Sequence, residues 1–144
     1  MGYVKLDTII EEAGTEKVEI KNDYISVEEM VPVELVIKKS RFIGMAFHVK
    51  DENEAHQIVG NVRKSNKNAA HVCYAYALGE TVTVAKNNDD GEPAGSAGAP
   101  IFEAIKQSHL TFILVVVVRY FGGIKLGAGG LVRAYSKTAG SLFN

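Results

Sequence analysis

The sequence Phe112-Ile-Leu-Val-Val-Val-Val118 is an unbroken apolar run in which most residues are β-branched. Such a run is typical of a central strand that is deeply buried or covered on both faces. It is the longest apolar run in the chain, and it is far too short to cross a bilayer as a helix. The sequence therefore predicts a domain built around this strand, with no membrane association.

A glycine-rich segment follows directly, Arg119-Tyr-Phe-Gly-Gly-Ile-Lys-Leu-Gly-Ala-Gly-Gly-Leu-Val-Arg133, and a helix is predicted over residues 131–142. Backbone amides beside cationic side chains commonly hold phosphate, and the two aromatic residues offer a stacking surface for a base. The segment is not a P-loop, because Ala128 stands where the lysine belongs, and Val132 replaces the third glycine of a dinucleotide fingerprint. Close packing of helix on strand explains the same glycines, and both interpretations stay open.

A second small-residue segment, Asp89-Asp-Gly-Glu-Pro-Ala-Gly-Ser-Ala-Gly-Ala-Pro100, leads into a helix predicted from Pro100 to about Ser108. Its small residues let a ligand approach the backbone, and the helix start offers N–H groups to an anion. Its three acidic residues instead suit a hard cation or a cationic partner, so only one of these interpretations can dominate. A solvent-exposed loop with turn-forming acids is the third alternative.

Shorter patterns place the remaining elements. Strands are predicted over residues 33–37 and 42–49, joined by 38–41, with weaker strand-like stretches over 17–20 and 24–27. Asp51 and Glu54 have the spacing of a capping box, at the start of a helix that ends near Asn66. Residues 71–78 and 81–85 form a predicted hairpin. The order β-β-α-β-β-α-β-α predicts an α+β (two-layer α/β) domain with a mixed sheet and helices on one face.

Length and charge narrow the class of protein. A chain of 144 residues has room for one domain, and its formal net charge of −1 excludes a uniformly cationic surface. The charge is segregated: residues 1–34 hold nine acidic residues and three lysines, whereas residues 35–144 hold thirteen cationic and eight acidic residues. A single cysteine excludes an internal disulfide, and no signal peptide opens the chain, so a cytoplasmic protein is expected.

Patterns for catalysis are incomplete. Ser96 lies in a sequence like a nucleophile elbow, but Ala94 replaces the first glycine and no strand is predicted before it. His71 and Cys73 alternate on one strand face, as a thiolate–imidazole pair or two metal ligands would, yet a buried structural cysteine is the simpler interpretation. The sequence predicts no metal site and no cofactor, and it leaves enzymatic activity uncertain while favouring a non-enzymatic domain.

Four motifs resemble the IMPACT/YigZ family, in order along about three quarters of the chain. They are Ile37-Lys-Lys-Ser-Arg-Phe-Ile43, His71-Val-Cys-Tyr-Ala-Tyr76, Asp89-Asp-Gly-Glu-Pro-Ala-Gly-Ser-Ala-Gly98 and Val118-Arg-Tyr-Phe-Gly-Gly-Ile-Lys-Leu-Gly-Ala-Gly-Gly-Leu-Val-Arg-Ala-Tyr135. The resemblance implies a fold like the second domain of ribosomal small-subunit protein five. It also implies a part in translation regulation and stress response, with nucleic-acid or ribosome binding inferred for bacterial members.

The resemblance sets the expected domain boundaries. Residues 1–32 are predicted to be an acidic N-terminal extension and residues 33–144 an Impact-type N-terminal domain. The ferredoxin-like C-terminal domain of bacterial members is expected to be absent, as is the extra N-terminal domain of eukaryotic members. A proline-dipeptidase activity, ascribed to some members, finds no support in these residues. Oligomeric state is not determined by the sequence.

Three hypotheses on function follow. The first is a translation-associated domain that binds RNA, the ribosome or a translation factor in a cleft between the glycine-rich segments, with phosphates contacted by Lys38, Lys39, Arg41, Arg119, Lys125 and Arg133. The second is a small-molecule or phosphate-ligand enzyme that uses Asp89, Asp90, Glu92 and His71 with Arg119 and Lys125. The third is a protein-interaction module. The loop residues predicted to line the site are His71, Asp89, Asp90, Glu92, Gly122, Gly123 and Gly127.

Overall fold

Seven strands and three helices form in the residues that the structure describes, 18–21, 24–27 and 30–144 of a computed structural model. The strands are β1 (Val18–Lys21), β2 (Tyr24–Val27), β3 (Val33–Ile37), β4 (Ser40–His48), β5 (His71–Leu78), β6 (Val84–Asn88) and β7 (Ile113–Tyr120). The helices are α1 (Glu52–Ser65), α2 (Gly98–Ser108) and α3 (Gly127–Ser141). The predicted order of elements from residue 33 onwards is therefore confirmed.

The apolar run forms the middle strand of a five-stranded sheet. The strand order is β3-β4-β7-β5-β6, and β1 pairs only with β2. Every pairing in the larger sheet is antiparallel. The predicted α+β class is confirmed, but the sheet is antiparallel rather than mixed. The reason is that β7 inserts between β4 and β5, which run in the same direction, and opposes both.

Both faces of the sheet are covered by helices. Ile101 of α2 and Tyr135 of α3 pack on the face that carries Val115 and Val117, and we call this the α2–α3 face. Val59 of α1 packs on the opposite face, beside residues such as Val116 and Val118. The prediction placed all helices on one face. Since every side chain from Ile113 to Val118 is fully buried, both faces of β7 require apolar cover, and α1 supplies it on the second face.

Local signals explain several element boundaries. The Asp51 carboxylate accepts a hydrogen bond of 2.8 Å from Glu54 N–H at the start of α1, while Glu54 Oε1 accepts one of 2.8 Å from Lys50 N–H. The predicted N-terminal cap of this helix is therefore confirmed. Lys38 and Lys39 form a two-residue turn between β3 and β4, with φ values of 47° and 67°. Strand β4 consequently begins at Ser40, two residues before the prediction.

Other boundaries also differ from the prediction. Helix α2 starts at Gly98 rather than Pro100, since Asp89 Oδ1 accepts hydrogen bonds from Ala97 and Gly98 N–H. Helix α3 starts at Gly127, so that the second half of the glycine-rich segment is helical. Strand β6 lies at 84–88 instead of 81–85, after a longer turn.

The sheet has one end on which the site depends. There β4 and β5 begin and β7 finishes, so that Phe42 and His71 are both register partners of Arg119. Helix α1 ends close by, because Tyr120 Oη donates a hydrogen bond of 2.6 Å to Asn66 Oδ1. We call this the Arg119 end. Among the described residues no helix is long and apolar enough to cross a membrane.

Candidate functional site

Arg119 is the next-to-last residue of the central strand β7, and its side chain points to the α2–α3 face. Its guanidinium carbon lies 5.5 Å from the Phe42 ring centroid and 5.4 Å from that of Phe121. The residue is only 5 % exposed. Aromatic rings on two sides therefore hold the cation in place by packing and cation–π attraction.

Ser40 fixes the orientation of this guanidinium. The Ser40 hydroxyl oxygen accepts hydrogen bonds from Arg119 Nε at 3.4 Å and Nη2 at 3.3 Å, and from Gly122 N–H at 3.2 Å. Ser40 is fully buried at the start of β4. The side chain of Arg119 is thus positioned by the sheet and the adjoining loop, with Nη1 left to bind another group.

That group is Glu92, which comes from the first glycine-rich segment. Arg119 Nη1 lies 2.9 Å from Glu92 Oε2 and 3.2 Å from Oε1. Tyr135 Oη donates a hydrogen bond of 2.5 Å to Oε2, and His71 Nε2 lies 3.5 Å from Oε1. The two glycine-rich segments therefore meet at one carboxylate. Of the residues predicted for the small-molecule site, the structure brings together His71, Glu92 and Arg119.

Cys73 lies beside this cluster but is not activated. Its thiol donates to the Asp89 carbonyl at 3.1 Å and contacts Tyr135 Oη at 3.5 Å. Burial raises the pKa of the thiol to about 12. Burial, together with Cys73 and Glu92, also raises the pKa of Tyr135, which keeps its hydroxyl protonated as a donor to Glu92. The structure therefore forms no thiolate–imidazole pair between His71 and Cys73.

Asp89 and Asp90 hold the loop rather than converge on Arg119. Burial acts to raise the pKa of Asp89, but N–H donors from Gly95, Gly98 and Ala97 together lower it. Asp90 accepts a hydrogen bond of 2.7 Å from Val72 N–H and pairs with Arg63 at 3.1 Å. Both carboxylates are engaged by groups that belong to the fold. Their predicted role in a ligand site is untested.

The three predicted loop glycines differ in what they do. A Cβ at Gly122 would lie 2.0 Å from the carbonyl oxygen of Lys39, so close backbone packing requires glycine there. Gly123 and Gly127 have φ values of +93° and +75°, with no neighbouring atom within 4 Å of an added Cβ. Their glycine requirement is conformational. Close packing thus requires glycine at Gly122, but the packing is of the loop on the β3–β4 turn and not of helix on strand as predicted.

The remaining predicted cations lie around the same end of the sheet. Lys38 and Lys39 occupy the β3–β4 turn, Lys125 lies in the loop before α3, and Arg133 lies in the second turn of that helix. All four are exposed and have no acidic partner among the described residues. Arg41 differs, since its Nε lies 2.8 Å from Glu34 Oε2, and this contact lowers the pKa of Glu34.

Comparison with known proteins identifies the family. Residues 38–143 match the family model of the Impact N-terminal domain, about three quarters of the chain. The chain belongs to the Impact N-terminal domain family. The resemblance stated from the four motifs is thereby confirmed.

The curated relatives of this Impact domain include two bacterial proteins of similar sequence. The chain is 47 % identical over 123 residues to the IMPACT family member YvyE of Bacillus subtilis, and 45 % identical over 108 residues to YigZ of Escherichia coli. These matches cover 85 % and 72 % of the chain, and 57 % and 53 % of the relatives. The chain thus spans a little over half the length of each.

One solved structure agrees with the fold, and a second is reported with it. A crystal structure of a hypothetical protein is 41 % identical, with a TM-score of 0.75, over 79 % of this chain and 56 % of that one. A structure of the two-domain translational regulator Yih1 is 24 % identical, with a TM-score of 0.46, over 75 % and 43 %. The predicted boundary at residue 32 is not tested by these matches, and most of residues 1–32 lie outside the described part of the chain.

Several residues of the Impact domain's site escaped prediction. Ser40, Phe42 and Tyr135 all lie within the family motifs, but nothing in their local pattern shows that they face Arg119. Lys64 and Lys67, at the end of α1, are exposed near the Arg119 end and have no acidic partner in the described structure. The sequence did contain a signal for these two lysines, because α1 was predicted to end near Asn66 and they lie on either side of it.

A second polar cluster lies on the α1 face, away from these residues. Tyr76 Oη donates a hydrogen bond of 2.5 Å to Glu52 Oε2, and Lys86 Nζ lies 3.3 Å from the same oxygen. The Tyr76 hydroxyl and then Lys86 lower the pKa of Glu52. These contacts tie the start of α1 to the sheet. In the described residues no group of three or more histidine, cysteine or acidic side chains could hold a metal ion.

Proposed function

We propose that this Impact domain binds RNA through its Arg119 end and acts in the regulation of translation, the role that the family resemblance implies. The observation that carries the proposal is the clustering of unpaired cations there. The group comprises Lys38, Lys39, Lys64, Lys67, Lys125 and Arg133. Six cations at one end of the domain, none with an acidic partner among the described residues, form a surface suited to a phosphate backbone.

The ends of the elements explain this clustering. The β3–β4 turn, the end of α1 and the start of α3 all reach the Arg119 end, and each carries two of the six cations. The opposite end, where α1 begins and β5 turns into β6, carries the acidic residues Asp51, Glu52, Glu54 and Glu80. The domain therefore has opposite charges at its two ends, which favours one orientation of an approaching polyanion.

An exposed aromatic ring lies among the cations. Phe121 is 52 % exposed, and its inner face is stacked on the buried Arg119 guanidinium. A ring held in this way can stack on a nucleic-acid base without a large loss of side-chain entropy. Tyr120, also predicted as a stacking residue, is occupied instead, since its ring lies under Arg41 and its hydroxyl binds Asn66.

The backbone supports the same interpretation. Helix α3 begins without a side-chain cap, and its exposed first residues are small, so its N–H groups and the flanking Lys125 and Arg133 favour an anion. Lys38 and Lys39 both have left-handed backbone conformations, which cost non-glycine residues about 1 kcal/mol or more each. Such strain is commonly retained where the side chains have a function.

A charge-reversal experiment tests the proposal. Binding of fluorescent single-stranded and hairpin RNA is measured by anisotropy at low salt for the wild-type chain and for K125E/R133E. The matched control is K50E/K106E, which changes the net charge equally but away from the Arg119 end. We expect K125E/R133E to weaken RNA binding at least about tenfold more than the control does. Equal effects of the two double variants, or no binding by the wild type, would overturn the proposal.

A protein partner is the second candidate, because three large apolar residues are exposed close to these cations. Phe121, Ile124 and Val132 are 52 %, 41 % and 38 % exposed. A ribosomal protein or translation factor with an acidic, apolar surface would fit them. If RNA binding fails, loss of ribosome co-sedimentation in the variant I124E, with V82E as the exposed apolar control, supports this candidate.

A further inference from the structure

We propose that Arg119, Tyr135 and His71 form a carboxylate-binding site that Glu92 occupies as an internal ligand, and that a free carboxylate can take the place of Glu92. The proposal does not rest on RNA binding, since it concerns buried residues rather than the exposed cations. It assigns a chemical class of ligand to the cluster at which the two glycine-rich segments meet.

The receptor half of the site is complete without Glu92. Arg119 comes from β7, His71 from β5 and Tyr135 from α3, whereas Glu92 comes from the loop between β6 and α2. Arg119 is held by the Ser40 hydroxyl and by two aromatic rings, none of which belongs to that loop. Its geometry is therefore preorganised for an anion.

The partners of Glu92 match a planar group with two oxygens. Oε2 accepts from Arg119 Nη1 at 2.9 Å and from Tyr135 Oη at 2.5 Å. Oε1 accepts from the same Nη1 at 3.2 Å and faces His71 Nε2 at 3.5 Å. Two groups address each oxygen, and the described contacts provide none for a third or fourth oxygen. The site therefore fits a carboxylate better than a phosphate.

His71 is oriented toward this position by the backbone. Its Nδ1 lies 2.8 Å from the Asp90 carbonyl oxygen, which can only accept, so Nδ1 carries the proton and Nε2 faces the carboxylate. The His71 side chain is 23 % exposed, whereas that of Glu92 is 3 % exposed, so solvent reaches the site along the imidazole.

Glu92 lies in the loop between β6 and α2. The two ends of this loop are held by hydrogen bonds, whereas its middle is exposed to solvent. Asp89 accepts N–H bonds from Gly95, Ala97 and Gly98, which hold these ends independently of Glu92. Gly91, Pro93, Ala94 and Gly95 are exposed, and Gly91 and Gly95 have φ values of +89° and +81°. Besides the contacts of its carboxylate, withdrawal of Glu92 breaks the hydrogen bond from Glu92 N–H to the Asp89 carbonyl, which lies within the loop itself, and Gly91, packed over the His71 ring, moves with it.

Chemical rescue tests the site directly. In the variant E92A the carboxylate is removed, and the thermal midpoint is followed while sodium acetate is added against sodium chloride at equal ionic strength. We expect a saturable rise with acetate that chloride and phosphate do not produce. The matched control is E103A, which loses the same side chain from an exposed position on α2 and is expected to show no acetate-specific rise.

Two further variants identify the receptor. E92A/Y135F is expected to bind acetate about tenfold or more weakly, because a hydrogen bond to a charged group is lost. E92A/R119K is expected to lose most of the response, since lysine cannot reproduce the stacked guanidinium. Rescue that is identical in E92A and in E92A/R119K would overturn the proposal, as would an acetate response in E92A no greater than in E103A.

The wild-type chain provides a measurement that does not depend on the folding of E92A. Saturation transfer from the protein to the acetate methyl protons reports binding in competition with Glu92. We expect at least about tenfold weaker affinity than in E92A, because the open site is a minor population. We also expect the signal to disappear in R119K. If the wild type shows no acetate binding that R119K abolishes, Glu92 is a permanent structural partner of Arg119 and the proposal is wrong.

Discussion

Arg119 is the residue on which the contacts of the Arg119 end converge. It is buried, ionised and paired with an equally buried carboxylate, and it also orders Ser40 and two aromatic rings. A buried pair gains little over an apolar replacement, but loss of one partner leaves the other charge without compensation. The pair therefore links β7 to the loop before α2. Loss of one partner is expected to cost more stability than the intact pair contributes.

Replacement of either partner alone is expected to be costly. R119M or E92M should each lower the free energy of unfolding by about 3–5 kcal/mol, whereas R119M/E92M should lose less than the sum of the two. Urea unfolding of the four proteins measures this coupling. R41M, in the exposed pair with Glu34, is the control and should change little. Additive effects of R119M and E92M would show that the pair is not coupled.

At the level of elements, two glycines of the domain have opposite effects on stability. Gly122 brings the loop after β7 against the β3–β4 turn, where an added Cβ would meet the Lys39 backbone. Gly60 lies inside α1 with no atom within 4 Å of an added Cβ. The first glycine is needed for packing between elements, and the second only weakens a helix.

Alanine substitution separates these roles. G122A is expected to destabilise the protein by about 3 kcal/mol or more, because two backbone segments must separate. G60A should stabilise it by about 0.5–1 kcal/mol, since alanine favours the helix. G123A should cost about 1–2 kcal/mol from backbone strain alone. Thermal or urea unfolding ranks the three variants, and a G122A protein as stable as G123A would contradict the packing argument.

Asp89 links the loop after β6 to the start of α2. Its carboxylate accepts three backbone N–H groups, which replaces the side-chain cap that Ala97 cannot provide. These donors lower its pKa below the ordinary value of 3.8. A lowered carboxyl pKa stabilises the fold above the unfolded pKa, and this contribution is lost as the pH falls through the folded value.

Because the pKa of Asp89 is lowered in the folded state, the effect of D89N on stability should depend on pH. At pH 7, D89N should be less stable than the wild type by about 1 kcal/mol, as for loss of a charged helix cap. The difference should shrink as the pH falls from about 4, the ordinary pKa of the carboxyl in the unfolded chain, through the lower pKa of the folded state. Urea unfolding of both proteins between pH 6 and pH 2 measures it. A difference that stays constant over this range would place the pKa of Asp89 outside it.

At the scale of the whole molecule, charge is separated along the sheet. The near-neutral total is a cancellation, because residues 1–34 are acidic and residues 35–144 carry thirteen cationic against eight acidic residues. Among the described residues, six cations without an acidic partner lie at the Arg119 end, whereas Lys50 lies at the opposite end. A mean charge therefore gives no measure of the potential that a ligand meets there.

The salt dependence of RNA binding measures how many of these cations act together. With up to six phosphate contacts, the logarithm of the association constant should fall with the logarithm of salt concentration with a slope of about −4 on single-stranded RNA. K125E/R133E should reduce the slope by about 1.4, and K50E/K106E should leave it unchanged. Anisotropy titrations at several salt concentrations provide the slopes. A wild-type slope near zero would exclude a phosphate-dominated interface.

Elements with strong local signals were predicted closely. The run ending at Val118 was placed as the central strand, Asp51 as the cap of α1, and β5 over its full length. The misplaced start of α2 had a cause distant in sequence. The Asp89 carboxylate, which lengthens this helix, lies eight and nine residues before the N–H groups that it binds. Helix placement failed for the same reason, since periodicity shows that a face is apolar but not which face of the sheet it covers.

The amino-acid sequence by itself determined the family, the α+β class, most of the elements and the segregation of charge, because each depends on residue identity or on neighbours within a few positions. Only the tertiary structure decided which residues share a site. Ser40, His71, Glu92, Arg119 and Tyr135 meet because β4, β7 and β5 pair in one register and α3 packs on them. Such pairing depends on the packing of the whole sheet. The sequence near any one of these residues therefore does not show which distant residues it will contact.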